Sequence, residues 1–279
     1  MRRRIDTIVA IAGHGFSVWL WLYSKPGWER MAKRSRILVT NDDGIGSGLV
    51  LPFIQAMRTV FDVVAIIPRD DCSLTGHSAS VGSNQRLQLI GEDCFVLDGF
   101  PADCVALGLN LPEFGTFDAV AAGVNRGLNI GSDTWYSGTV AAAREAALAG
   151  LAGIAISCAE PGANPEELAR IATGLVKDVM KRSIAGKGVL VNINIPASGE
   201  TGLKGIAQTL PADHGSRSIF SLEKVHAKEW RVSVVAERVA SAACHDRCEC
   251  TALDSGFVSV AVIQRFPCKP DPAREVDHV

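Results

Sequence analysis

The sequence predicts an α/β fold in three layers: a mostly parallel sheet covered on both faces by helices, with an extended arm near the carboxyl end. Three observations carry this. Strand-like and helix-like stretches alternate from residue 36 to about 196, the pattern of crossover units built on a parallel sheet. The strand-like stretches are short apolar runs without polar alternation, as in strands buried on both faces. Polar residues gather just past the ends of three of these runs, where open α/β sheets bind ligands.

The first strand is Ile37 to Thr40, followed by Asn41-Asp42-Asp43-Gly44 and a helix from Leu49 to Thr59 with Leu49, Phe53, Ile54 and Met57 on its apolar face. Phe61 to Ile67 is the second strand, and Pro68 stops it. Gln85 to Ile90 and Cys94 to Leu97 read as strands, and Pro101 opens a helix to Leu109 at the first-turn position proline favours. Ala119 to Ala122 is a strand running into a glycine-rich loop, Gly123 to Gly131. A helix follows from near Thr139 to Leu148, then a strand at Gly153 to Ser157, a helix at Pro165 to Lys181 and a strand at Val189 to Ile195. From about Gly202 the alternation stops. Trp230 to Val235 and Phe257 to Gln264 read as strands with a polar segment between them. The stretch is an antiparallel edge or an arm reaching a partner subunit, and Trp230, Val232 and Val234 share one face of it.

Residues 1–34 stand apart. Arg2-Arg3-Arg4 before the apolar run Ile8 to Tyr23 imitates a secretory leader. The run contains His14, lacks a small-x-small cleavage site, and is shorter than the roughly 20 residues of a spanning helix. It is expected to be an extension outside the fold, with Met31 standing just before the first strand. The domain then covers 35–268, with the arm at about 202–250 and a polar tail at 269–279.

Composition narrows the function. The chain has 279 residues, 47% hydrophobic content and a net charge of −2, enough for a core and without the basic stripe a nucleic-acid polymer would need. Cys72, Cys94, Cys104 and Cys158 are scattered among apolar or motif residues, as in reduced thiols of a cytoplasmic protein. Cys244-His245-x-x-Cys248-x-Cys250 has the residue types of a zinc site, but its cramped spacing is not two separated pairs, and a solvated loop is expected.

Chemistry concentrates in three strand-end loops. The first bears Asn41, Asp42 and Asp43. The second bears Ser73, Thr75, His77 and Ser78, and the third Asn125 and Asn129, followed by Ser137-Gly138-Thr139 at a helix start. Each has a plain structural reading as turn or cap. With parallel strands, however, all three open on one edge of the sheet. Carboxylates, amide oxygens and a hydroxyl then converge as a hard divalent cation requires, beside a helix N-terminus whose free N–H groups favour phosphate.

The stretches Ile37 to Ile45, Ser73 to Ser78, Gly99 to Val105, Gly123 to Asn129 and Ser137 to Val140 together resemble the SurE family of metal-dependent 5′-nucleotidases. The match continues more weakly through Val191 to Pro196 and Gly256 to Val260. The resemblance implies a Rossmann-like fold with an arm exchanged between subunits in a homodimer or homotetramer. It implies one divalent cation, Mg²⁺ or Mn²⁺, on Asp42, Asp43, Ser73 and Asn125, and nucleoside monophosphate substrates, with 3′-nucleotides and short polyphosphate in some members. Residues 1–34 have no counterpart in that family, and the arm diverges from it.

The expectation is therefore a metal-dependent phosphomonoesterase, cytoplasmic and independent of membranes. Asp42 and Asp43 are its catalytic pair, and Asn41, Asn129, Ser137, Gly138, Thr139 and His77 its phosphate-side residues. Two alternatives stand beside it. A nucleotide-binding regulatory module would not need paired carboxylates at the phosphate seat. A metal-dependent deacetylase would want histidines beside the aspartates, where Thr40 and Asn41 stand.

Overall fold

The computed structural model describes residues 34–159, 164–181, 188–197, 202–213, 215–226, 228–238 and 247–265. The expected extension through residue 33, the polar tail, Cys244 and His245 lie outside the described residues.

In chain order the elements are β1 (Arg36–Thr40), α1 (Val50–Arg58), β2 (Asp62–Pro68), β3 (Leu87–Gly91), β4 (Cys94–Leu97), α2 (Pro101–Asn110), β5 (Ala119–Arg126), α3 (Asp133–Tyr136) and α4 (Gly138–Leu148). They continue with β6 (Ala152–Cys158), α5 (Pro165–Lys181), β7 (Val189–Ile195), β8 (Ile206–Thr209), β9 (Ser216–His226), β10 (Glu229–Arg238), α6 (Glu249–Asp254) and β11 (Val258–Arg265).

Nine strands form one sheet in the order β3-β4-β2-β1-β5-β6-β7-β11-β8. The run from β4 to β7 is parallel, whereas β3 and β11 join antiparallel. The mostly parallel α/β architecture is therefore as expected. β1 lies between β2 and β5, so the chain leaves β1 toward one edge and later returns to its other side. That reversal makes the carboxyl ends of β1 and β5 the topological switch point, where a crevice opens in such sheets.

Residues 37–40 are all buried, and their side chains alternate between two cores. Ile37 and Val39 pack with Phe53, Ile54 and Met57 of α1 and Leu168, Ala172, Leu175, Val176 and Val179 of α5. Leu38 packs with Cys104 and Val105 of α2 and Val140, Ala143 and Ala147 of α4. These two cores are the interfaces between the sheet and its two helical layers. The 3–4-residue spacing along α5 gives it one apolar stripe. Alanines along α4 let that helix approach the sheet closely, and its Ala141, Ala142, Ala143 and Ala146 are fully buried.

Three boundaries differ from the sequence reading. β5 continues to Arg126 rather than ending at Ala122, with an irregular register between Ala122 and Asn125. Alternation stops near residue 202 as read, with β8, β9 and β10 following β7 without a helix among the described residues, but β8 joins the main sheet, in parallel with β11. The segment between β8 and α6 is a separate two-stranded ribbon of β9 and β10. Its first strand was missed because polar residues are interspersed on both faces of Ser216–His226. The cysteine-bearing segment is also corrected: Cys248 is buried with Ile130, Ala212 and Leu253 rather than solvated.

Candidate active site

The site begins where β1 ends. Cys72 donates its N–H to the Asp42 carbonyl at 2.7 Å, and Ile45 donates to Pro68 at 3.0 Å. The loops after β1 and β2 are thereby fastened side by side. Gly44 makes the turn with φ +76°, and a Cβ there would lie 2.7 Å from the Asp70 carbonyl, so conformation and space both call for glycine.

Asn41 is fully buried. Its Nδ2 donates to the Gly44 carbonyl at 3.0 Å, and its Oδ1 is buried without a partner. Asp42 is only 3% exposed and accepts a hydrogen bond from the Thr139 hydroxyl. Burial pushes its carboxyl up to about 6, with the Thr139 bond opposing and the Asp43 charge adding to the rise. Burial also raises Asp43; the Arg126 N–H and charge oppose that rise, and Asp71 adds to it. The Arg126 N–H meets Asp43 Oδ2 at 3.4 Å, which brings the end of β5 to the paired carboxylates.

The second loop supplies Ser73 through an acid the sequence reading overlooked. Asp71 Oδ1 accepts the Ser73 N–H at 2.8 Å and its hydroxyl at 2.5 Å, and these bonds hold the Asp71 carboxyl below its ordinary value. Gly76 donates to the Tyr136 carbonyl at 2.9 Å, so the loop rests against the segment leading into α4. His77 Nε2 lies 2.9 Å from Glu145 Oε2 on that helix, a partner no local pattern announces. Asp103 ties down the rest of the loop: it accepts from the Ser80 N–H and hydroxyl, the Gln85 amide and the Phe100 N–H.

On the third side, Asn125 Nδ2 donates to the Gly127 carbonyl at 2.7 Å, leaving its Oδ1 as the amide donor atom for a cation. Asn129 is built into the frame. Its Nδ2 reaches the Ser157 hydroxyl at 2.8 Å, its N–H reaches Asn194 Oδ1 at 2.9 Å, and its carbonyl accepts from Asn192 and Asn194. Ser137 is the N-cap of α4 and accepts the Val140 N–H at 3.1 Å. Gly138 sits against Asp42 with no room for a side chain.

The structure thus brings Asp42, Asp43, Gly138 and Thr139 to one locus at the switch point, with Asn125 near the end of β5 and Ser73 on the loop after β2. A hard divalent cation suits the chemistry of this donor set: two carboxylates, an amide oxygen and a hydroxyl. The orphaned Asn41 Oδ1 and two adjacent carboxylates lifted by burial lie at this locus. Among the described residues no group of three His, Cys, Asp or Glu side chains is placed to hold a metal ion.

A family model described as "Survival protein SurE" matches residues 37–218. The 5′-nucleotidase SurE of Geobacter sulfurreducens is 38% identical over 162 residues, covering 57% of this chain and 62% of that protein. The 5′-nucleotidase SurE 1 of Thermus thermophilus is 40% identical over 176 residues, 60% of this chain and 69% of that one. Against the first three relatives the chain spans 62%, 65% and 64% of their length, a little under two thirds. The crystal structure of the SurE protein from Aquifex aeolicus superposes with a TM-score of 0.70 at 29% identity, covering 81% of this chain and 92% of that one.

Proposed function

The chain belongs to the SurE family, and on that footing we propose that it is a metal-dependent phosphomonoesterase releasing phosphate from nucleoside monophosphates, 5′-nucleotides first. One observation carries the reading: the paired carboxylates Asp42 and Asp43 lie against the N-terminus of α4 at the sheet's switch point, joined by the Asp42–Thr139 hydrogen bond. The relatives' names, 5′-nucleotidase SurE, support it.

Asp42, Asp43, Ser73 and Asn125 are proposed to hold one Mg²⁺ or Mn²⁺. When bound, the cation would lower the pKa of a water and neutralise charge on the phosphoryl oxygens. The chain's own groups do the rest by position and electrostatics, as phosphoryl transfer requires. The N-terminus of α4 turns the positive end of the helix dipole and the Gly138 N–H to the phosphate, while the Thr139 N–H is engaged with Asp42. Ser137 keeps that first turn wound, and Asn41 offers its free Oδ1 to the site's polar contents. Asp42, fixed by Thr139, orients the attacking water and takes its proton. His77, held by Glu145, is the candidate for the phosphate's outer oxygens. Asn129 is assigned to the frame, because its polar groups bond Ser157, Asn192 and Asn194.

We infer a homodimer at least, joined through the ribbon of β9 and β10. Cytoplasmic placement rests on Cys72, Cys94 and Cys104, which are free thiols. Among the described residues no helix is long and apolar enough to cross a membrane. Assaying phosphate release from AMP and GMP with Mn²⁺, then with EDTA, tests the function. Release that EDTA abolishes supports it, whereas tight nucleotide binding without release would favour the regulatory module.

A further inference from the structure

Arg144 is a buried cation whose placement the reaction does not explain. It lies on α4, is 9% exposed, and among the described residues pairs with no carboxylate. Nη2 donates to the Thr134 carbonyl at 3.0 Å, and Nε is buried without a partner. A guanidinium removed from water with so few partners is costly. Its compensation is the indole of Trp135, whose ring centroid lies 5.1 Å from Arg144 Cζ. A desolvated cation–π contact of this kind is attractive by more than one at the surface.

Trp135 itself is 64% exposed. One face of a large aromatic ring is therefore held by a fixed cation, and the rest is open to solvent. The position is not arbitrary. Trp135 stands two residues before Ser137, the N-cap of the phosphate-side helix. Its carbonyl lies so close to Gly76 that a Cβ there would be 3.3 Å away, so it adjoins the loop that bears Ser73.

We propose that Trp135, clamped from behind by Arg144, is the stacking platform for the substrate's nucleobase. The inference rests on the nucleoside monophosphate reading and adds where the base sits. A ring already immobilised loses little freedom when a second ring lies on it. Stacking on a π-face tolerates every base, so this subsite selects for the presence of a base rather than its identity, with purines favoured by their larger overlap.

The test compares AMP with ribose 5-phosphate, which has the same phosphate and sugar but no base, using the full chain with Mn²⁺. Adenosine binding is measured separately by equilibrium dialysis. In Trp135→Ala the ratio of kcat/KM for AMP over ribose 5-phosphate is expected to fall roughly tenfold, within what base stacking supplies. The fall should lie chiefly in KM for AMP. Adenosine affinity should drop by a similar factor, and Trp135→Phe should recover most of both. An unchanged ratio with unchanged adenosine affinity overturns the platform. So does an equal loss on both substrates, or a shift of the protein to a smaller mass in Trp135→Ala, which would make the ring a subunit contact. If the wild type releases phosphate from neither compound, the phosphatase reading fails, and the adenosine measurement alone decides the platform.

Discussion

Gly138 packs so closely on Asp42 that a Cβ at position 138 would lie 2.8 Å from the Asp42 Cβ and 3.1 Å from its Oδ2. The next residue, Thr139, donates its hydroxyl to the same carboxylate. The first turn of α4 therefore sets where the Asp42 oxygens point, and residues nearly a hundred positions apart form one unit.

Gly138→Ala should separate activity from stability. Alanine is a better helix former than glycine by about 1 kcal/mol, so local propensity offsets part of the crowding. The added methyl must push Asp42 aside, and a displacement near 1 Å at a reacting centre costs on the order of a hundredfold. We expect phosphate release to fall by about that factor while the melting temperature moves by only a few degrees. Wild-type turnover in Gly138→Ala would show that Asp42 need not hold this position.

Asp42→Asn and Asp43→Asn should each abolish phosphate release with the fold retained, since both lie in the turn after β1 rather than in either core. Charge count tunes affinity in oxygen-ligand sites, so each should also weaken the cation. Mn²⁺ at 100 times its dissociation constant stabilises a folded protein by about 2.7 kcal/mol. Thermal melts should show a Mn²⁺-dependent rise in the wild type that is absent from both variants. A persisting rise in either would remove that carboxylate from the ligand set.

Asp103 provides a pH-dependent prediction away from the metal ligands. Burial pushes its carboxyl up, but the bonds from the Ser80 and Phe100 N–H groups, the Ser80 hydroxyl and the Gln85 amide outweigh burial and hold it below its ordinary value of 3.8. A carboxyl depressed in the fold adds stability that is present above the unfolded value and lost as pH falls through the folded one. Asp103→Asn should therefore be less stable than the wild type by roughly 2–3 kcal/mol at pH 7, the scale of hydrogen bonds to a charged group. The gap should narrow below about pH 4 as the wild type protonates. Urea melts at both pH values measure it, and a gap that stays constant would assign the effect to packing.

The parts of the site most legible in the sequence were those carried by contiguous residues. Asn41-Asp42-Asp43 follows an unbroken apolar run, and Ser137-Gly138-Thr139 precedes an alanine-rich helix, so strand end and helix start both announce themselves. The hidden parts depend on contacts between distant segments. Asp71 orients Ser73 from two residues away and was readable as a local turn motif, but its proximity to Asp43 was not. Glu145 meets His77 across 68 residues, and Asn194 meets Asn129 across 65; no periodicity encodes either. The fold shows the same division. β7 stands out as seven buried residues, Val189–Ile195, whereas α3 has four residues and too little length for a helical pattern. β9 hid because a ribbon outside the main core lacks the plain alternation of a half-buried strand.

That ribbon leads to the remaining prediction. In the β9–β10 pairing, Val232 faces Leu222 and Val234 faces Phe220, and side chains alternate across a strand, so these four share one face with Trp230. Leu222 is 70% exposed and Phe220 65%. An isolated two-stranded ribbon is marginal in water, and a contiguous apolar face of this kind marks an interaction surface. A second copy of the chain is the economical cover, since two-fold pairing lets each ribbon bury the same face of the other. The ribbon's root is fixed to the domain: Ser216 bonds Asp133, and Ala212 bonds the buried Glu249, which also holds Gly131. Removing 212–248 would therefore cut into the fold at Ala212 and Cys248, and point changes are the cleaner test. Leu222→Glu combined with Val232→Glu should convert a dimer or larger assembly to monomer by light scattering at micromolar concentration, leaving the Mn²⁺-dependent melting shift in place. A wild-type protein that is already monomeric would overturn this pairing.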